Sequence, residues 1–208
     1  IHKASVRDRV LHQAVFRILY PMFDKNFIFD SYSCRIDKGT HRAVDRLETF
    51  GRRLSQNDDR NILALKCDVR KFFDSVDQDI LLNLISKKVK DEDVIWLVGK
   101  IIKSFPQGLP LGNVTSQLFA NIYLNDFLSR ELNLSLHPDK IIIRKYSQGI
   151  DFLGYAVRPH YRVLRTRTKR RLLRRVNEKN MPSYLGVLKH CKGFKISKKL
   201  LLSVNTKC

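Results

Sequence analysis

Apolar residues recur along the chain with two periods, and these divide it into elements. Ser5 to Tyr20 carries Val6, Val10, Leu11, Ala14, Val15, Ile18 and Leu19 at the spacing of a helix with one buried face, and Pro21 is the expected stop. His41 to Leu54 repeats the pattern through Val44, Leu47, Phe50 and Leu54, while Phe27 to Thr40 between them is irregular with a glycine turn. Ile62 to Asp74, ILALKCDVRKFFD, reads as a buried strand that presents Asp68 at its end and then turns into a helix. Asp77 is the expected N-cap of a helix carrying Ile80, Leu81, Leu84 and Ile85, and Asp91 to Asp93 places negative charge at the start of the next, with Val94, Ile95, Val98, Ile101 and Ile102. Thr115 or Ser116 is expected to cap a helix burying Leu118, Phe119, Ile122 and Tyr123. Strands follow at Ile141 to Tyr146, Ile150 to Val157 and Tyr161 to Thr166, separated by Ser147-Gln148-Gly149 and Pro159-His160 turns, before a basic helix from Thr168 to Asn180.

Charge changes this picture of an ordinary folded chain. The 208 residues hold 40 Lys and Arg against 20 Asp and Glu, a net charge of +20. From Ala156 onward there are 16 bases and one acid, Glu178, so that segment alone carries +15. Clustered cations gain by displacing counterions from phosphates, so a polyanion is the expected partner, ahead of an acidic membrane surface. Leu172, Leu173, Val176, Tyr184 and Leu185 interleave with the bases, which points to a folded basic appendage rather than a solvated tail. No apolar run approaches a membrane span and no signal peptide is recognisable, so no membrane partner is expected. Cys34, Cys67, Cys191 and Cys208 are widely spaced and form no metal or disulfide pattern, which fits a reducing, cytoplasmic setting of bacterial type.

Asp68 is the residue with chemical promise. A carboxylate at a strand end, followed by the Val69 carbonyl, supplies half of a cage for two divalent ions roughly 3.5–4 Å apart, the arrangement that stabilises the attacking and leaving oxygens in nucleotidyl transfer. A turn-capping role for Asp68 and plain core packing for Phe73 are the alternatives.

The surrounding residues carry a resemblance. Asp68-Val69-Arg70-Lys71-Phe72-Phe73-Asp74 resembles the first catalytic motif of bacterial reverse transcriptases of the group II intron and diversity-generating retroelement type. Gln107-Gly108-Leu109-Pro110-Leu111-Gly112-Asn113 with Ser116-Gln117 resembles their next motif. Leu136-His137-Pro138-Asp139-Lys140 resembles the segment that presents a lysine to the leaving pyrophosphate, and Gly149 to Tyr155 the primer-grip hairpin. Upstream, Val6 to Val10 and Ser31 to Thr40 are similar to the family's fingers. The resemblance implies an α+β right-hand polymerase: partial fingers over residues 1–60, a palm over 61–157 whose incomplete sheet packs on helices, and a basic, thumb-like helical segment over 158–208. It implies metal binding (Mg2+ or Mn2+) at Asp68 and the Val69 carbonyl, Phe73 as a sugar gate, and Gln117, Arg35 and Lys38 against nucleotide or template. It also implies Lys140 as general acid, Phe152, Leu153, Gly154 and Tyr155 as primer grip, and Arg165, Arg167, Lys169, Arg170 and Arg174 on the nucleic-acid backbone. The partners so implied are an RNA template, an RNA/DNA duplex and deoxynucleotides.

One family feature is missing. Between the Gln117 helix and Lys140 the family carries a Tyr-x-Asp-Asp hairpin, whereas here the chain runs NDFLSRELNLSLHPDK, as if a segment between about 126 and 132 were deleted. Asp126, Glu131, Asp139 and Asp151 are the acids left to complete a cage, and Ile141 to Tyr146 needs another strand as neighbour. The chain also opens inside the fingers, and its thumb is short. The expectation is a reverse transcriptase-like domain with impaired template-directed DNA synthesis. The alternatives are a non-catalytic RNA-binding remnant and an interrupted reading frame.

Overall fold

The first helix, α1 (Val6–Asp24), starts with a reciprocal cap: the Asp8 N–H donates to the Ser5 hydroxyl at 3.1 Å and the Ser5 N–H to the Asp8 carboxylate at 3.2 Å. The structure, a computed structural model, describes residues 5–129 and 141–205. Its chain divides into two units that interleave in sequence, Ile1–Gly39 with Cys67–Ile141, and Thr40–Lys66 with Ile142–Cys208. Among the described residues it is helical with two small antiparallel sheets, compatible with an α+β class.

In the first unit, α1 is followed by α3 (Phe72–Ser75), α4 (Gln78–Ser86), α5 (Glu92–Lys103) and α6 (Val114–Ser129). Asp77 caps α4 through the Asp79 and Ile80 N–H groups, as the sequence predicts, and Asp91, expected there for its charge, also caps α5 through the Val94 N–H. Pro21 does not stop α1. Set four residues from the helix end it removes a single ladder hydrogen bond, and burial of Tyr20 and Phe23 on either side holds the last turn. The expected single buried face of α1 is also only half realised. Val15, Leu19, Tyr20 and Phe23 enter a core with Leu81, Ile85, Val98, Ile102, Leu118 and Phe119, while Val6, Val10 and Ile18 remain exposed. Helix α6 begins at Val114, before both expected caps; Thr115 and Ser116 are buried in its first turn, and the Thr115 hydroxyl is hydrogen-bonded to His12 Nδ1 at 2.8 Å.

The second unit holds α2 (Thr40–Leu54) and a ribbon of β1 (Leu63–Lys66) and β2 (Ile142–Lys145), with Leu63 opposite Lys145 and Lys66 opposite Ile142. The strand that precedes Asp68 is therefore the neighbour β2 needed. It is not a buried strand: a two-stranded ribbon packs one face only, so Ala64 meets the core while Leu63 and Leu65 are 65% and 64% exposed. The run expected as one strand from Ile150 to Val157 is a hairpin, β3 (Ile150–Phe152) and β4 (Tyr155–Val157). Leu153 and Gly154 have φ of 46° and 91°, the two left-handed positions of a turn whose twist matches a hairpin. Strand β5 (Arg162–Leu164) completes the sheet, and α7 (Thr166–Arg175), α8 (Met181–Lys189) and α9 (Phe194–Asn205) follow. Helix α7 ends short of the expected Asn180. Asn177 and Asn180 exchange backbone-to-side-chain hydrogen bonds at 2.9 and 3.0 Å, and the Asn180 amide donates to the Arg175 carbonyl at 2.8 Å, offering the chain an alternative to the helical ladder.

The core of this unit gathers Val44, Tyr146, Ile150, Tyr155, Val157, Leu164, Leu172, Leu188 and Leu200. Tyr146 is 2% exposed, and its hydroxyl is buried without a hydrogen-bond partner among the described residues. Its ring lies against α2 at Gly51, where any Cβ would overlap it. Two substitutions should therefore move stability in opposite directions. Gly51→Ala should destabilise by about 1–3 kcal/mol through overpacking. Tyr146→Phe should be neutral or stabilising by about 1 kcal/mol, because an unpaired buried hydroxyl is removed. Denaturant midpoints of the two variants against the parent chain check both.

Candidate nucleic-acid interface

In the first unit, the segment after β1 and the glycine-proline loop meet. Asp68 lies two residues beyond the end of β1 and is exposed. The chain then turns through Lys71, whose φ of 44° is left-handed, into α3. Phe72 and Phe73 pack edge to face at 5.6 Å, half-buried against the unit's core. The loop docks on this turn by backbone: the Leu109 N–H donates to the Phe73 carbonyl at 2.8 Å. Gly108, at φ 65°, comes so close that a Cβ there would overlap that carbonyl and reach 2.8 Å from Asp74 Cα. Gln78 secures the loop from beneath, its amide nitrogen shared among the carbonyls of Ile102, Phe105 and Gly108 at 3.2, 2.9 and 3.0 Å. Nothing in the sequence singled out Gln78, since a glutamine just after a cap usually faces solvent. Gln117 is half-buried in the first turn of α6.

The residues 27–39 are pinned to α1 and α6. The Arg35 guanidinium, with its side chain 7% exposed, donates to the Asp24 carboxylate at 2.7 Å and to the carbonyls of Ile28, Ser31 and Asp24. Lys38 donates to the Phe29 carbonyl at 2.8 Å and sits over the Phe29 and Tyr32 rings. Asn121 donates to the Ser33 carbonyl, and the Ile28 N–H donates to Asn125.

Lys140, with Leu136 to Asp139 and Glu131, falls outside the described residues. Among those described, no group of three or more His, Cys, Asp or Glu is placed to hold a metal ion. Asp126 is half-buried on α6, and Asp151 lies in the second unit, where its carboxylate is 3.7 Å from Arg165 Nε. The described residues therefore do not supply the donor set that two divalent ions need.

The second unit carries a different kind of site. A trough of about 1000 Å³ runs beside α7 and the β3–β5 sheet, lined by Arg158, Arg165, Arg167, Arg170, Arg171, Arg174 and Arg175, with Asp151 as its one acid. Arg165, Arg167, Arg170 and Arg174 are thus brought together along one cavity; Lys169 is exposed on α7 outside the lining. Arg158, Arg171 and Arg175 join them, and for the last two the signal was the spacing of arginines along α7. Of the hairpin residues, Leu153 is half-exposed at the turn. Tyr155 is buried, its hydroxyl donating to the Val187 carbonyl at 3.2 Å and 3.3 Å from His41 Nδ1. Gly154 accepts from the Arg165 N–H at 3.0 Å, which ties the hairpin turn to the start of α7.

Beneath the trough, Arg162 is neutralised. It reaches Asp45 at 2.5 Å and Glu48 at 3.7 Å and donates to the His190 carbonyl. His190 in turn stacks on His41 with ring centroids 3.8 Å apart. Burial, then the His190 and Arg162 charges, hold the His41 imidazole below its ordinary value, with Asp45 acting against them. Burial lowers His12 in the same way, partly countered by Asp8.

Comparison with known proteins finds similarity to intron-encoded proteins over about half of the chain. No protein-family model matches the chain. It is 30% identical over 97 residues to nuclear intron maturase 1, mitochondrial, of Arabidopsis thaliana, covering 47% of this chain and 13% of that protein. It is 27% identical over 145 residues to the group II intron-encoded protein LtrA of Lactococcus lactis, covering 64% and 23%. It is 26% identical over 134 residues to protein YkfC of Escherichia coli, covering 59% and 34%. The chain spans about a third or less of the length of these curated relatives.

Two outcomes follow from the geometry. Gly108→Ala should cost about 2–4 kcal/mol, since the new methyl meets backbone rather than a yielding side chain and the φ is left-handed. Circular dichroism melts compared with a Gly186→Ala control, where a Cβ meets nothing within 4 Å, would measure it. As pH falls, the unfolded chain protonates its histidines near the ordinary value of 6.5, before folded His41 and His12 do. Stability should therefore be full above about pH 6.5 and decline below it. Denaturant midpoints at pH 7.5 and 5.5 test this, and the decline should be shallower in His41→Gln.

Proposed function

We propose that this chain is a reverse transcriptase-like, intron-related domain that acts by holding structured RNA, and that its own polymerising centre is impaired. The observation that carries this reading is the arginine trough: seven arginines line one cavity together with a single acidic residue. Guanidinium forks match phosphate geometry two hydrogen bonds at a time, and contacts of this kind hold a backbone without reading bases. The similarity to group II intron-encoded proteins and an intron maturase supports RNA as the polyanion. In this reading residues 1–60 belong to the fingers, 61–157 to the palm and 158–208 to a basic, thumb-like segment. The docked loop and α3 are the remains of a nucleotide site, with Phe73 as its sugar gate and Gln117 beside it. Asp68 would bind Mg2+ or Mn2+ weakly, since no group of three or more candidate ligands forms among the described residues.

Binding should be strongly salt-dependent. With four to five phosphates engaged, the slope of log K against log salt should be about −3 to −4. The double reversal Arg170→Glu/Arg174→Glu should weaken binding of a structured RNA by at least about tenfold, while Asp68→Ala leaves it unchanged. Primer extension on an RNA template with Mg2+ or Mn2+ should give no product. Robust synthesis that disappears in Asp68→Ala would overturn the impaired centre, and RNA affinity indifferent to the arginine reversals would overturn the trough.

A further inference from the structure

A second, smaller recess opens beside the trough. It encloses about 240 Å³ between the β1–β2 ribbon and β3, lined by Ala64, Lys66, Ile142, Arg144, Ile150, Asp151 and Arg165. Asp151 and Arg165 line both cavities, so the recess and the trough adjoin. The strand register explains its composition. Ala64 lies opposite Arg144 and Lys66 opposite Ile142, and the period of two along each strand brings all four to one face of the ribbon. The recess thus has an apolar floor of Ala64, Ile142 and Ile150, with cations set around it.

Those cations are held in place by different means. Lys66 donates to the Asp151 carbonyl at 3.2 Å, which draws its ammonium toward β3 without neutralising it. Arg165 approaches the Asp151 carboxylate by Nε at 3.7 Å, too long for a hydrogen bond. Arg144 has no ion pair among the described residues. Three cations against one carboxylate leave an excess of two positive charges within a cavity the size of a small anionic group.

We propose that this recess takes a terminal phosphate monoester of the nucleic-acid strand lying in the arginine trough. The inference rests on the RNA-binding reading above and adds recognition of a strand end to it. An internal phosphodiester carries one negative charge and is served by the trough. A terminal monoester carries about −1.5 to −2 at pH 7, with its second ionisation near pH 6, and it matches the excess of two. Its oxygens meet Lys66, Arg144 and Arg165, and the terminal sugar covers the apolar floor. Asp151 orients Lys66 and Arg165 and sets how far in the phosphate can go, since a dianion pressed against the carboxylate is repelled.

The test uses the full chain and one 12-nucleotide RNA in three forms: both ends hydroxyl, 5′-phosphate, or 3′-phosphate. Each competes at fixed salt against a labelled RNA. One phosphorylated form should bind about tenfold tighter than the hydroxyl form, and which of the two it is identifies the end. The double variant Lys66→Ala/Arg144→Ala should abolish that preference while changing affinity for the hydroxyl form by less than about threefold; both residues are exposed, so folding is not at stake. The preference should also shrink as pH falls through about 6, where the monoester loses its second charge. Equal affinity for all three RNAs, or a preference that survives the double variant, overturns the end site while leaving the trough standing. Absence of binding to any of them overturns the RNA-binding reading as well.

Discussion

The first unit depends on one approach of backbone to backbone. Gly108 lies against the Phe73 carbonyl and Asp74 Cα at a distance that admits no side chain, and the Leu109 N–H closes the contact at 2.8 Å. This holds the loop before α6 onto the turn after Asp68 with no freedom of register, because a hydrogen bond and a steric limit act at adjacent residues. The three carbonyls taken by Gln78 extend the constraint to the end of α5. Buried carbonyls in an irregular loop require donors, and one amide supplies them for three. Phe72 and Tyr123, 6.4 Å apart edge to face, carry the same fixation into α6.

The second unit is organised by what it does with its arginines. Arg162 is surrounded by Asp45 and Glu48, lies over the Tyr155 ring, and ties β5 to α2 and to the end of α8 through the His190 carbonyl. It is a strut. The trough arginines share one carboxylate among seven guanidinium groups, and such crowding works against folding. Helix α7 tolerates it because Leu172 is buried and Arg174 and Arg175 sit at the helix C-terminus, where the backbone dipole favours cations. Charge left uncompensated in the folded state is released when a polyanion arrives. The same chemistry therefore serves structure where acids accompany it and binding where they do not.

Much of the local structure was legible in the residues. The caps at Asp77 and Asp91 and the extents of α2, α4 and α5 follow from spacing and short polar side chains, which act within one turn of chain. The density of arginines over Arg165, Arg167, Arg170 and Arg174 was legible too, although Arg165 precedes α7 and joins the other three only through the fold. Features that depended on distant neighbours were not. Pro21 within α1, the exposure of Val6 and Val10, and the open face of Leu63 and Leu65 are decided by which surface another element covers. The Leu153-Gly154 turn was hidden because a short apolar run reads the same whether it continues or folds back. Arg35 illustrates the limit for the candidate site: the resemblance implied a contact with nucleotide or template, and the fold surrounds it with Asp24 and three carbonyls.

By itself the sequence determined the helices from α2 to α6, the basic character of the last quarter of the chain and the two motifs around Asp68 and Gly108. Each is a property of residues close together in the chain, where periodicity, capping and charge density act. Only the tertiary structure decided that those two motifs touch, that β1 pairs with β2 across some eighty intervening residues, and that seven arginines share a trough with an adjoining recess around Lys66 and Arg144. Those arrangements depend on long-range steric fit and strand register, and a shift of one residue in the ribbon would part Lys66 and Arg144 onto opposite faces.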